Sequence, residues 1–333
     1  MTSLVSPCAG RLSEAPKYLE VAERSSTRPE RDAGLQYCKG LYNRYTNKLR
    51  DALSCFYRAK KGAEWGLPAH YHMIEIYLDP NKDAFLGDDG VAAEGGFSGK
   101  SGGAGGGAAH SHERFQDAQR LLAEIKHDRR LRPEDVQRTE LLQCYCLMAN
   151  NSKPDIERAH KNFMAMLGSG MDNVPALVGT AVAHLKLNQK PKARNQLKRV
   201  AKLDYRPQYA EDFERGWLML ADMYCSTGKY DMAQDLCRKC LKHNQSCAKA
   251  WEYMGLVMEK EQSYADAADA YERAWKYESE RSATVGYKLA WNYLKAKRYV
   301  ETINICNQVL AKFRDYPKIK KDILDKAIAQ LRT

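Results

Sequence analysis

The side chains able to do chemistry are few, and their spacings are short. Cys237-Arg-Lys-Cys240 with His243 has the spacing of half a zinc site: two thiolates three residues apart and an imidazole three further on. No second ligand pair stands beside it, and core packing accounts for both cysteines, as the helical pattern below makes clear. The segment GFSGKSGG around Lys100 invites a phosphate-loop reading, but the motif needs Gly where Glu94 stands, and no strand precedes it. Cys144 and Cys146, His70 and His72, and His110 and His112 are each two apart, so on a helix each pair points in two directions. No nucleophile, base and orienting group can be assembled. Catalytic, cofactor and metal roles are therefore left unassigned, and binding is the chemistry that remains.

What must position any binding residue is a repeat. Triplets of small or apolar residues at spacing 4 then 3, one face of a helix, recur along the chain. They are Ala15/Leu19/Ala22, Ala52/Phe56/Ala59, Ala118/Leu122/Ile125 and Ala159/Phe163/Met166, then Ala193/Leu197/Val200, Ala233/Cys237/Cys240, Ala267/Tyr271/Ala274 and Thr302/Cys306/Val309. Cys237 and Cys240 thus hold slots that Phe, Tyr, Ala and Val fill elsewhere. Three of the steps between triplets are 34, 34 and 35 residues, the period of the tetratricopeptide repeat, a pair of antiparallel helices A and B that stacks on its neighbours. Trp217, Leu220, Ala221, Tyr224, Gly228, Tyr230 and Ala233 keep the same register, and Trp251, Gly255, Tyr264 and Ala267 repeat it 34 residues on. The pattern predicts an all-α, right-handed superhelical tetratricopeptide solenoid of seven repeats. The triplet Alas and the small residues of helix A let paired helices approach closely.

The expected organisation follows. Residues 1–32 form a partial repeat with a helix B near 13–25; 33–78 and 113–331 form the solenoid; 79–112 form a flexible Gly-rich insertion, whose removal over 87–109 should leave thermal stability nearly unchanged. Extra residues between Leu203 and Glu214 should lengthen a helix B or its loop. KIKKDILDKAIAQL near 317–331 reads as an amphipathic cap helix with Ile319, Ile323, Leu324, Ala327 and Leu331 inward. The leading helix B has no helix A before it, so the chain reads as the C-terminal piece of a longer solenoid.

Composition narrows the function classes. Hydrophobic residues make up 44%, with 20 Tyr and 5 Trp, enough apolar surface to fold. Lys and Arg exceed Asp and Glu for a net charge of +11, which suits acidic partners without naming one. The start of the chain has no apolar signal stretch, membrane insertion is not expected, and the ten cysteines read as reduced thiols.

Within a tetratricopeptide repeat the second, fifth, ninth and twelfth residues of helix A usually face the concave groove. Here they select Arg215, Leu218, Asp222, Lys249, Glu252, Glu259, Tyr287 and Trp291 as partner-binding candidates, a mixture suited to an extended peptide or a neighbouring helix. The carboxylate clamp of co-chaperones is not expected, since its Lys and Asn positions hold Tyr37 and Leu41, or Leu218 and Asp222.

Several stretches go beyond the generic repeat: APKYLEVAER, YCKGLYNRYT, AHYHMIEIYLDP, VPALVGTAVAHLKLNQKPKARNQLKRVAK, WEYMGLVMEKEQSYADAADAYERAWKY and GYKLAWNYLKAKRYVETINICNQVL, with DYPKIKKDIL after them. In these the chain resembles the large tetratricopeptide subunit of intraflagellar transport complex A, departing from it in the insertion and in Glu64, Gln245 and Ser279 where helix B usually ends in Pro. The resemblance implies a non-enzymatic scaffold for retrograde traffic in cilia and flagella and for cargo loading. Its implied partners are other complex A subunits and membrane-protein cargo adaptors, and its implied places are the cilium or flagellum, the basal body and the cytoplasm. Two other readings stay open. An RNA-binding helical-repeat protein would need a recurring polar code, which Asp222, Leu256 and Trp291 at matching positions do not supply. A cytosolic peptide-binding adaptor would differ in where the protein accumulates.

Overall fold

The triplets form the buried stripes of their helices in the computed structural model, with Ala22 and Met166 only partly buried and Leu167 buried beside the latter. The structure describes residues 12, 14–78, 107–126, 131–168, 172–278, 280–314 and 316–331. In every B helix the opening Ala or Thr of the triplet is completely buried, as are Phe56, Phe163, Leu197, Cys237, Tyr271 and Cys306 at the second position. A leading helix α1 (Ala15–Ser25) precedes seven hairpins: α2 (Ala33–Tyr45) with α3 (Leu49–Ala59), α4 (Gly66–Leu78) with α5 (Gly107–Lys126), α6 (Pro133–Ala149) with α7 (Lys153–Gly168), and α8 (Val174–Lys186) with α9 (Lys190–Lys202). Then come α10 (Ala210–Ser226) with α11 (Tyr230–His243), α12 (Ala248–Lys260) with α13 (Tyr264–Tyr277), and α14 (Ala283–Lys295) with α15 (Tyr299–Lys312). Among the described residues there is no strand. The fold is all-α and of tetratricopeptide type.

Glycine on helix A makes the close approach possible. A Cβ at Gly40 would come within 2.6 Å of Phe56, and one at Gly179 within 2.5 Å of Phe163, so the aromatic ring of the B triplet packs directly against bare backbone. The A-to-B turns share a second device. Asn47, Asn151, Asn188, Gly228, Gln262 and Lys297 each sit at positive φ in the middle of a three-residue turn. After Asn47, Asn188, Gly228, Gln262 and Lys297 the next amide closes a bond to the carbonyl five residues back, as from Lys229 N to Tyr224 O at 2.9 Å. Side-chain caps start some A helices: Asp32 accepts from Leu35 N at 3.1 Å and Asn173 from Ala176 N at 3.2 Å.

The chain divides into two compact units within α10, one reaching Gly216 and the other running from Trp217. The first has a core around Phe56, Tyr71, Ile74 and Leu122. The second is centred on Tyr271, Trp275, Leu289 and Val309 and closed by the terminal segment.

Two expectations need correction and one is met in part. An insertion over 79–112 is too long at its end, because α5 is already helical from Gly107; the remainder, 79–106, lies outside the described residues. The extra residues after Leu203 lengthen the loop rather than the B helix, the second of the two expected outcomes: they form a 3₁₀ turn, Pro207–Tyr209, and also extend helix A, so α10 has 17 residues where α8 and α12 have 13. The cap is not one regular helix: Pro317–Ile319 leads through a π-helical turn, Lys320–Leu324, into α16 (Asp325–Leu331). The wider turn still brings Ile319, Ile323, Leu324 and Ala327 inward, but it leaves Leu331 about half exposed rather than buried.

Candidate partner-binding site

The predicted groove residues lie on helix A faces, and the structure links several of them into one network. In the second unit the Tyr253 hydroxyl donates to Asp222 Oδ1 at 2.9 Å, and Lys249 Nζ lies 5.2 Å from the Tyr253 ring centre. Glu252 then accepts from two ammonium groups, Lys249 at 2.6 Å on its own helix and Lys288 at 2.8 Å on α14. Two turns on, Glu259 Oε2 accepts from the Tyr271 hydroxyl at 3.2 Å and from Asn292 Nδ2 at 3.1 Å. Asp222, Glu252 and Glu259 are thus rungs between successive hairpins as well as surface, and Lys249 braces Glu252 within α12. Burial alone would raise the Glu252 carboxyl, but Lys249 and Lys288 hold it below its ordinary value.

The remaining candidates are freer. Tyr287 packs edge-on to Tyr316 with ring centres 6.0 Å apart, and Trp291 lies 4.9 Å under Lys295 Nζ. Leu218 is partly buried. Arg215 belongs to the first unit, where its guanidinium lies 5.1 Å from the Tyr145 ring centre.

The most buried charge in that first unit was not anticipated. Arg44 on α2 is only 13% exposed and pairs with Glu75 on α4 at 2.8 Å and with Glu211 on α10 at 3.4 Å. Arg138 on α6 reaches Glu75 at 3.3 Å, and the Tyr45 hydroxyl donates to Glu211 at 2.5 Å. His72 is buried among Arg44, Glu75 and the Tyr37 hydroxyl, which lies 3.0 Å from its Nε2. Burial pushes this imidazole below its ordinary value in spite of the Glu75 carboxylate. Asp212, partly buried next to Glu211, is driven up to about 7, first by burial and then by the neighbouring carboxylate, with Arg215 opposing. In this unit the helix A face is occupied by its own charges, and the extra turn of α10 supplies Glu211 and Asp212.

Periodicity carried a signal for part of this. Glu252 meets Lys288, 36 residues on, and Glu259 meets Asn292, 33 on, each one repeat plus or minus a few positions. For the first unit the signal was hidden, since Glu75 and Arg138 are 63 residues apart across the insertion.

Cys237 is fully buried in its triplet slot and burial pushes its thiol up to about 12, whereas Glu214, Cys240 and Cys247 bring one ligand atom each within 4.8 Å of one another. His243 stacks on Trp217 with ring centres 5.9 Å apart. Among the described residues no helix is long and apolar enough to cross a membrane.

Comparison with known proteins adds the relationship. Residues 117–328 match the model of the tetratricopeptide repeat protein 21 C-terminal ARM domain, and residues 4–78 match that of the fifth ARM repeats domain of the same protein. The chain is 46% identical to tetratricopeptide repeat protein 21B of Homo sapiens and 33% identical to the tetratricopeptide repeat protein 21 homolog of Caenorhabditis elegans. In both cases 97% of this chain aligns with 24% of the relative, so it spans about a quarter of their length. Among solved structures, one of the Cut9-Hcn1 hetero-tetramer of the APC/C aligns with 97% of this chain and 53% of its own, with a TM-score of 0.56 and 15% identity, a likeness of fold alone.

Proposed function

Because the chain belongs to the tetratricopeptide repeat protein 21 family, we propose that it is a non-enzymatic scaffold segment whose helix surfaces hold other protein chains. In this reading it works within intraflagellar transport complex A, supporting retrograde traffic in cilia and flagella and the loading of membrane-protein cargo. Its partners are other complex A subunits and membrane-protein cargo adaptors, and it acts in the cilium or flagellum, at the basal body and in the cytoplasm. One observation carries the reading: the family match extends over both sides of the insertion, through nearly every hairpin that presents a helix A face. Tyr287 and Trp291, outside the ladder of paired charges, are the side chains best placed to give binding energy to a partner.

The test is affinity purification of the tagged protein from ciliated cells, with identification of the chains that accompany it. Complex A subunits should co-purify, and Tyr287→Ala with Trp291→Ala should weaken their recovery while leaving thermal unfolding within a few degrees. Recovery of RNA in place of those subunits, with a steep loss on raising salt, would overturn the reading.

A further inference from the structure

Where α11 and α13 end and α12 begins, all within the second unit, the surface sinks into a pocket of about 650 Å³. Its volume lies in the range of ligand clefts, roughly 300–1,000 Å³. Arg238, Lys242, Arg273 and Lys276 line it, and no acidic side chain does among the described residues. Leu241, Trp251, Met254 and Tyr277 supply the apolar part of the lining. The Trp251 indole is held in place: its Nε1–H donates to the Gln245 carbonyl at 2.8 Å, and the Arg273 guanidinium covers its ring, 4.5 Å from the centre.

None of the four cations is neutralised by a strong ion pair. Lys242, Arg273 and Lys276 form no ion pair among the described residues, Arg273 resting on the Trp251 ring, and Arg238 meets Asp235 at 3.8 Å with both side chains largely in solvent, a contact of little strength. Basic residues in a last helical turn offset the dipole of that helix, which accounts for Lys242 and Lys276 taken singly. It does not account for Arg238 and Arg273, or for two helix ends converging on one aromatic recess.

We propose that this pocket is a docking site for an acidic linear peptide that inserts a bulky apolar side chain. Carboxylates before and after that side chain pair with the four cations, and the side chain itself enters against Met254, Leu241 and Trp251. A membrane surface fits less well, because Leu241, Trp251 and Met254 are recessed and Tyr277 alone of the apolar lining is exposed. Stacked nucleotide bases fit less well too, since Arg273 already occupies the Trp251 ring. The assignment adds a surface away from the helix A ladder and does not depend on which assembly the chain joins.

The experiment uses the isolated chain and a fluorescein-labelled nonapeptide of Glu and Asp around a central Leu-Phe, read by fluorescence anisotropy. Saturable binding is expected. It should weaken about tenfold or more with Arg273→Glu, with Lys242→Glu plus Lys276→Glu, or when Ser replaces the central Leu-Phe. Lys198→Glu with Lys202→Glu on α9 should leave it within about twofold, which separates the pocket from general charge attraction. Circular dichroism melts of each variant confirm that it is folded. No saturable binding, equal weakening by the α9 reversals, or pocket-dependent capture of oligouridine or phosphatidylserine vesicles in place of the peptide would overturn the proposal. Each of these leaves the co-purification result standing on its own.

Discussion

Glu252 is only 15% exposed and holds two ammonium groups, so its charge matters more than that of an exposed pair. Glu252→Gln should destabilise the chain by about 1–2 kcal/mol at pH 7, measured by urea unfolding. Its carboxyl is depressed in the folded state. The contribution is therefore complete above the unfolded value and fades as pH falls through the folded one, so the two proteins should converge in acid. Asp212 has the opposite sign. With a folded value raised to about 7, its ionisation opposes folding, and the cost is absent below the unfolded value and grows as pH rises to about 7. Asp212→Asn should accordingly stabilise by about 1–2 kcal/mol at pH 8, after allowance for its partial exposure, and change little at pH 4. Equal effects at both pH values would mean that the ionisation of this carboxyl does not carry the difference.

The A-to-B turn sets where helix B departs. Gly228 holds φ +73° without a Cβ in the way, whereas Gln262 and Lys297 hold nearly the same conformation with one. Lys297→Gly should therefore stabilise by up to about 1 kcal/mol and Gly228→Val should destabilise by at least as much, in equilibrium denaturation. Close packing of paired helices gives a further expectation. Gly179→Leu would drive a side chain into Phe163 and should cost at least about 1–3 kcal/mol, part of which Phe163→Ala restores in the double variant. The repeat made these elements readable from the chain alone, because a helix that must bury one stripe repeats small and large residues in a fixed phase. Turn geometry was less readable: Gly228 stood out, while Asn47, Asn151, Asn188, Gln262 and Lys297 show their role only through backbone angles.

Across the molecule, each hairpin relies mainly on its neighbours, so damage should stay local. Ile323→Ala in the terminal segment should cost about 2–4 kcal/mol and speed amide exchange in α14 and α15, with α2 and α3 unchanged by hydrogen exchange and mass spectrometry. Fold class and helix pairing were legible at this level, since both follow from period and burial. The candidate site was legible only in part. Helix A positions marked Asp222, Lys249, Glu252 and Glu259, but which charges pair depends on distances between helices that a period does not encode. Arg44, Glu75, Arg138 and Glu211 meet through chain separations of up to 167 residues, which no local pattern predicts. The basic recess around Trp251 draws on the ends of two B helices and the start of an A helix, three stretches that a reading of one face keeps apart.

The left-handed residue in six of the reversals has one more implication. In five of them the bend is secured by a main-chain bond that Asn, Gly, Gln or Lys can all provide, so it places little demand on side-chain identity. Substitutions can therefore accumulate along the exposed faces while the reversal between the two helices of each of these hairpins is held by the peptide backbone. New recognition chemistry can evolve on this chain by rewriting single positions, without any need to reinvent its geometry.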